Sequence, residues 1–174
     1  LKKLRRLAAG ELREYEPHVA GIAGLWVGET GIVDYGQVCE KYAAIIRAGG
    51  GEIRLNFPVR RVTKDGGELI LAGAGGEVRG RNLVNCAGLQ SDRVARMCGV
   101  RPGLQIIPFR GEYYELLPGR RDLVRGLIYP VPDPRFPFLG VHFTRGIAGG
   151  VEAGPNAVLA FKRHGYKKTS FSLR

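Results

Sequence analysis

No run of about 18 apolar residues occurs in this 174-residue chain, although 44% of it is hydrophobic. Nothing in it therefore reads as a membrane-spanning helix. Cysteine is scarce: Cys39, Cys86 and Cys98 are odd in number and far apart. They form neither a CxxC pair nor a disulfide framework, and their apolar neighbours predict buried, reduced thiols. The histidines, His18, His142 and His164, are too scattered to suggest metal-ligand spacing. Three signatures are missing as well: a G-x-G-x-x-G fingerprint, a Walker Gly-Lys-Ser/Thr loop and a G-x-S-x-G elbow. A dinucleotide bound here would need its pyrophosphate-cradling loop from elsewhere. The opening LKKLRR lacks both a Met and the apolar core of a signal peptide, which predicts a stretch internal to a longer protein.

Negative charge is also in short supply, and the net charge is +11. The excess is terminal. Residues 1–14 hold five Lys/Arg against two Glu, and residues 161–174 hold five against none. The middle of the chain is close to balance, and no zinc-finger, RRM or KH signature accompanies the basic ends. Nucleic acid is thus not an expected partner. Solvated termini are the plainer reading, with a peripheral contact to an anionic membrane as the alternative.

Periodicity then sets out the elements. Residues 1–14 predict a basic helix with Leu4, Leu7, Ala8 and Leu12 on one side, stopped by Pro17. Residues 19–27 read as a strand or extended link. Asp34 is an N-cap with Gln37 at N3, a capping-box spacing, and Val38, Tyr42, Ile45 and Ile46 supply a core stripe until three glycines end the helix. Short strands follow at 52–55, 59–64, 69–72 and 77–79, with Asp65-Gly66-Gly67 as a hairpin turn. A buried strand at 83–86 runs into the small Ala87-Gly88 turn and a helix from about Ser91 to Met97. Backbone at such a strand–turn–helix junction can approach a cofactor closely, because no large side chain intervenes. Beyond Leu104 the spacing predicts strands at 106–117, 127–130, 138–145 and 150–152.

The expected fold class is α/β (α+β), an α/β layer with a small antiparallel flap followed by an antiparallel sheet. The second half concentrates polar and aromatic groups. Alternation puts Arg110, Glu112 and Tyr114 on one strand face and Tyr113 on the other. It also sets His142 opposite Arg145 unless a bulge intervenes. Arginines and a histidine on sheet faces suit carboxylate binding and proton transfer. The plainer alternatives are an Arg110–Glu112 pair and a structural His142.

Five segments carry a resemblance: TGIVDY at 30–35, VNCAGLQSD at 84–92, PFRGEYY at 108–114, LIYPVPDPRFPFLGVHFTR at 127–145 and GPNA at 154–157. Together they resemble the L-2-hydroxyglutarate oxidase/dehydrogenase family of the FAD-dependent, D-amino-acid-oxidase-like superfamily. The 127–145 segment is the specific one; NCAG alone indicates only the superfamily. The family's glycine-rich N-terminal unit and its C-terminal part have no counterpart in the chain, which therefore resembles an internal fragment.

The resemblance implies part of an FAD-binding Rossmann-like domain at 34–100 and part of a substrate domain at 1–33 and 101–174. It places Val59, Ala87 and Gly88 at the FAD. It implies hydride removal from C2 of L-2-hydroxyglutarate, with His142 as base, Arg110 and Arg145 on the carboxylates, and Tyr114 or Tyr129 bonding the substrate. The electron acceptor would be oxygen, a quinone or a carrier protein. The location would be cytoplasmic, with peripheral contact at the inner membrane face as an option. Two rival readings are a flavoenzyme acting on another 2-hydroxy acid or a secondary amine, and a non-enzymatic basic binding module.

Overall fold

The computed structural model describes residues 2–135 and 138–172. The chain divides into two compact units, both discontinuous in sequence: residues 1–40 with 110–158, and residues 41–109 with 159–174. The boundaries expected from sequence lay at 33/34 and 100/101. The family-specific 127–145 segment includes residues 136 and 137, which lie outside the described residues.

In the first unit, β1 (Leu4–Ala8) pairs antiparallel with β2 (Ala23–Val27), in register Leu4↔Val27 through Ala8↔Ala23. The helix expected over 1–14 is therefore confined to α1 (Ala9–Tyr15). Pairing with β2 buries Leu7 to 2% exposure, which a short isolated helix would not achieve. The junction is local: Ala8 is extended, and its N–H donates to the Glu11 carboxylate at 2.7 Å, opening α1. Leu12 of α1 packs onto Gly24, where no Cβ would fit. Asp34 caps α2 (Tyr35–Ala48), whose first turns belong to this unit and whose remainder belongs to the second; the Asp34 Oδ1 accepts the Gly36 N–H at 2.8 Å. The Gln37 amide donates to the Asp34 carboxylate at 3.2 Å, so the cap forms without the reciprocal half of the box.

The same unit holds β6 (Phe109–Glu115), β7 (His142–Arg145) and β8 (Val151–Leu159) in the order β6-β8-β7. Residues 127–130 contribute only a bridge, Ile128↔Phe143, rather than a strand. β8 is longer than the 150–152 strand expected, and β7 shorter than the 138–145 one.

The second unit carries the meander β3 (Val59–Asp65), β4 (Glu68–Gly73) and β5 (Gly76–Gly80), all antiparallel. Gly66 and Gly67 have φ of 56° and 86°, as a two-residue hairpin requires. A 3₁₀ turn at Gly88–Gln90 leads into α3 (Ser91–Met97). Three expectations fail. Residues 52–55 and 83–86 form no strand, and Val84 is 82% exposed. The α2 stripe is no core either, since Tyr42, Ile45 and Ile46 lie exposed. Cys39 and Cys86 are exposed and Cys98 half-buried, so the thiols are free but not buried. In each case the pattern marks a surface able to bury, without a covering partner among the described residues.

Candidate active site and cofactor turn

His142 opens β7 and is 8% exposed. Its Nδ1 lies 3.0 Å from the Gly140 carbonyl oxygen. A carbonyl can only accept, so Nδ1 carries the hydrogen and Nε2 keeps its lone pair in the neutral ring. Nε2 makes no hydrogen bond among the described residues. The imidazole stacks on Tyr129 at 4.5 Å between centroids and 19° between planes. The bridge between Ile128 and Phe143 explains this contact, because it sets Tyr129 across from His142 on one face. Gly140 lies against Pro130, where a Cβ would stand 2.8 Å from Cγ, so residues 129–130 run close beside 140–142.

β7 pairs with β8 without a bulge, in register His142↔Gly154, Phe143↔Ala153, Thr144↔Glu152 and Arg145↔Val151. His142 and Arg145 consequently occupy opposite faces of the strand. Arg145 lines a cleft of about 920 Å³ together with Trp26, Thr30, Ile32, Arg125 and Tyr129. One of its terminal nitrogens, Nη2, donates to the Arg121 carbonyl at 3.2 Å, while its buried Nε has no partner among the described residues. Arg110 differs. It is held on its own strand by Glu112 at 2.6 Å with its side chain 14% exposed, the arrangement that the plainer sequence reading allowed. Tyr114 is 73% exposed. The structure thus joins Tyr129 to both His142 and the Arg145 cleft, and leaves Arg110 committed to an internal acid.

One residue escaped the sequence argument. Tyr113 lies over Gly154, where a Cβ would come within 2.6 Å of its ring and 2.9 Å of the Glu112 carbonyl oxygen. Gly154 is the direct partner of His142, so Tyr113 sits on the His142 side of the sheet. Strand alternation had separated Tyr113 from Arg110. Only the β6-β8-β7 order reveals which neighbours it gains.

In the second unit the Ala87-Gly88 turn is exposed, and Gly88 has φ of 52° with nothing within 4 Å of where a Cβ would stand. Asn85 organises it, accepting the Ala87 N–H at 3.2 Å and donating to the Ser91 carbonyl at 2.8 Å. Ser91 Oγ donates to the Gly88 carbonyl at 2.8 Å. Val59, half-buried, begins β3 opposite Gly73. Behind the turn Asp92 is 3% exposed, and the Arg163 guanidinium beside it holds its carboxyl down at about 2. Arg163 reaches both Asp92 oxygens, at 2.7 and 3.1 Å.

Residues 1–171 match the FAD dependent oxidoreductase family DAO. The chain belongs to that family. It is 52% identical over 174 residues to the L-2-hydroxyglutarate dehydrogenase of Indibacter alkaliphilus, covering 99% of this chain and 44% of that protein. The enzyme of the same name from Escherichia coli K12 is 49% identical over 168 residues, covering 96% of this chain and 40% of that protein. The mitochondrial L-2-hydroxyglutarate dehydrogenase of Bos taurus is 44% identical, covering 98% and 40%. The chain thus spans about two fifths of the length of these curated relatives. Glycine oxidase from Geobacillus kaustophilus superposes with a TM-score of 0.61 at 16% identity, covering 90% of this chain and 40% of that one. The FAD-bound L-alpha-glycerophosphate oxidase of Mycoplasma pneumoniae gives 0.61 at 17%, covering 94% and 43%. At these identities the structural likeness bears on fold, which is the α/β class expected. No helix among the described residues is long and apolar enough to cross a membrane.

Proposed function

We propose that the full-length protein carrying this stretch oxidises L-2-hydroxyglutarate to 2-oxoglutarate with FAD. The observation that carries the reading is that relatives 43–52% identical across nearly all of this chain bear that enzyme's name. On this reading residues 41–109 and 159–174 serve the cofactor, and residues 1–40 and 110–158 the substrate. The open Ala87-Gly88 turn fits a bound cofactor, since a side chain at Gly88 would fill the space it faces. On the same reading Val59, at the head of β3, also meets the cofactor. When bound, the flavin would supply the hydride acceptor for C2, and the protein's own residues would bind, orient and deprotonate the substrate.

His142 Nε2, left as an acceptor by the Nδ1–Gly140 bond, takes the substrate hydroxyl proton as C2 becomes a carbonyl carbon. Tyr129 holds the imidazole plane by stacking. Arg145, on the other face of β7, has an unsatisfied Nε and the planar fork suited to a carboxylate; it shares a substrate with His142 only around Tyr129, which stacks on the imidazole and lines the Arg145 cleft. Arg110 would have to exchange Glu112 for the second carboxylate, and exposed Tyr114, further along the same face of β6, would hydrogen-bond the substrate. The same proposal includes an electron acceptor, which would be oxygen, a quinone or a carrier protein. A cytoplasmic location belongs to the same proposal, with peripheral contact of the basic termini at the inner membrane face as its alternative. The test is a comparison of kcat/KM for L-2-hydroxyglutarate, its D enantiomer and L-lactate. Lactate lacks the distal carboxylate and should be poorer by on the order of 10²-fold, because a cation is left unpaired. Equal values for lactate and L-2-hydroxyglutarate would reject a two-carboxylate site.

A further inference from the structure

We infer that Arg163 and Asp92 form a positioning pair that holds the Ala87-Gly88 turn in its cofactor-binding geometry. The inference rests on the proposed cofactor role of that turn. Arg163 donates to both oxygens of Asp92 and to the Leu89 carbonyl, with its side chain 15% exposed and that of Asp92 1%. The next residue continues the clamp, as His164 Nε2 lies 2.7 Å from the Gln90 side-chain amide. Asp92 also accepts the Arg93 N–H at 2.9 Å, Arg96 Nη1 at 3.2 Å and the Ile106 N–H at 3.4 Å. Residues 89, 90 and 92 are therefore held by 163 and 164, in addition to the Asn85 and Ser91 bonds within the turn, and the part-buried share of the restraint comes from Arg163.

The opposite side of the turn is left open, with Ala87 and Gly88 exposed. This asymmetry is what a backbone surface needs if it is to meet a ligand. A flexible turn would lose entropy on binding, whereas a pre-set one avoids that loss. A buried ion pair adds little stability over an apolar pair of equal volume; its distinctive contribution is bidentate geometry. Arg163 spends its third contact on a main-chain carbonyl of the turn itself, so the geometry is transmitted to backbone rather than only to a side chain. Arg163 follows β8 by four residues, so a short run of chain connects the substrate-side sheet to this clamp.

The test uses the full-length flavoenzyme with Arg163→Lys, Asp92→Asn and His164→Ala. FAD Kd is measured by quenching of flavin fluorescence on titration with apoprotein, beside thermal unfolding of the apoprotein. Arg163→Lys and Asp92→Asn should each raise Kd about tenfold or more, and the double variant no further than the worse single one. His164 is exposed, so His164→Ala should leave the unfolding midpoint unchanged and still raise Kd a few-fold. Variants that lower the midpoint but keep the wild-type Kd would make the pair merely structural and overturn the inference. If Arg163→Lys and Asp92→Asn fail to fold, His164→Ala decides alone, and an unchanged Kd there overturns it. Failure of the underlying reading looks different: Gly88→Val, which puts a side chain into the space the turn faces, would then also leave the FAD Kd at its wild-type value.

Discussion

On the proposed mechanism, replacing His142 with alanine removes the proton acceptor and leaves the proposed carboxylate-binding arginines in place. In the full-length enzyme kcat should therefore fall about 10²–10⁴-fold while KM changes little. The paired measurement is Arg145→Ala, which should act mainly on KM. The ladder makes this comparison sharp, because β7 is regular and sets the two side chains on opposite faces. Near-wild-type kcat in His142→Ala, with activity abolished in Arg145→Ala, would move the site to the Arg145 face and remove His142 as base. At this scale sequence could nominate residue types, but not their commitments. That Arg110 is occupied by Glu112 and that Arg145 keeps an unpartnered Nε depends on which side chains come within reach.

Among the elements, the β6-β8-β7 sheet depends on a missing side chain at its centre. Gly154→Ala would put a methyl 2.6 Å from the Tyr113 ring and 2.9 Å from a backbone oxygen. The half-exposed ring can turn aside but the strand carbonyl cannot yield freely, so the substitution should destabilise the full-length protein by roughly 1–3 kcal/mol. Denaturant unfolding measures this as a lower midpoint at unchanged slope; a wild-type midpoint would mean that Tyr113 swings away without cost. Element type was legible wherever local chemistry decides it, as in the Gly66-Gly67 hairpin and the Asp34 cap. It was misread at 1–8, where a helical spacing of leucines competes with pairing to β2. It was also misread at 52–55 and 83–86, where strand-like sequence has no strand beside it among the described residues.

Viewed whole, the molecule exposes too much surface for its mass. A folded monomer of 19.0 kDa should present about 8,400 Å², yet this chain presents 13765 Å². Ile22, Val84 and Val131 are over four-fifths exposed, and the α2 stripe faces outward. Produced by itself, this stretch should bind a hydrophobic dye such as ANS, self-associate and purify colourless, with weak FAD binding at best. The last expectation follows from the missing glycine fingerprint, which supplies the helix N-terminus for a pyrophosphate. A monodisperse, dye-negative, yellow protein with stoichiometric flavin would show that the stretch is sufficient alone.

Short-range chemistry is what the sequence by itself determined: turn glycines that need positive φ, a capping carboxylate, strand alternation, and motifs specific enough to indicate the family. Each of these depends on residues a few positions apart, so a linear reading suffices. The tertiary structure decided everything that depends on distant partners. It made residues 4–8 a strand, turned the α2 stripe outward, stacked Tyr129 on His142 and brought Arg163 to Asp92 across 71 positions. The physical reason is that burial and ion pairing are set by proximity in space, which alternation and periodicity constrain only within one element.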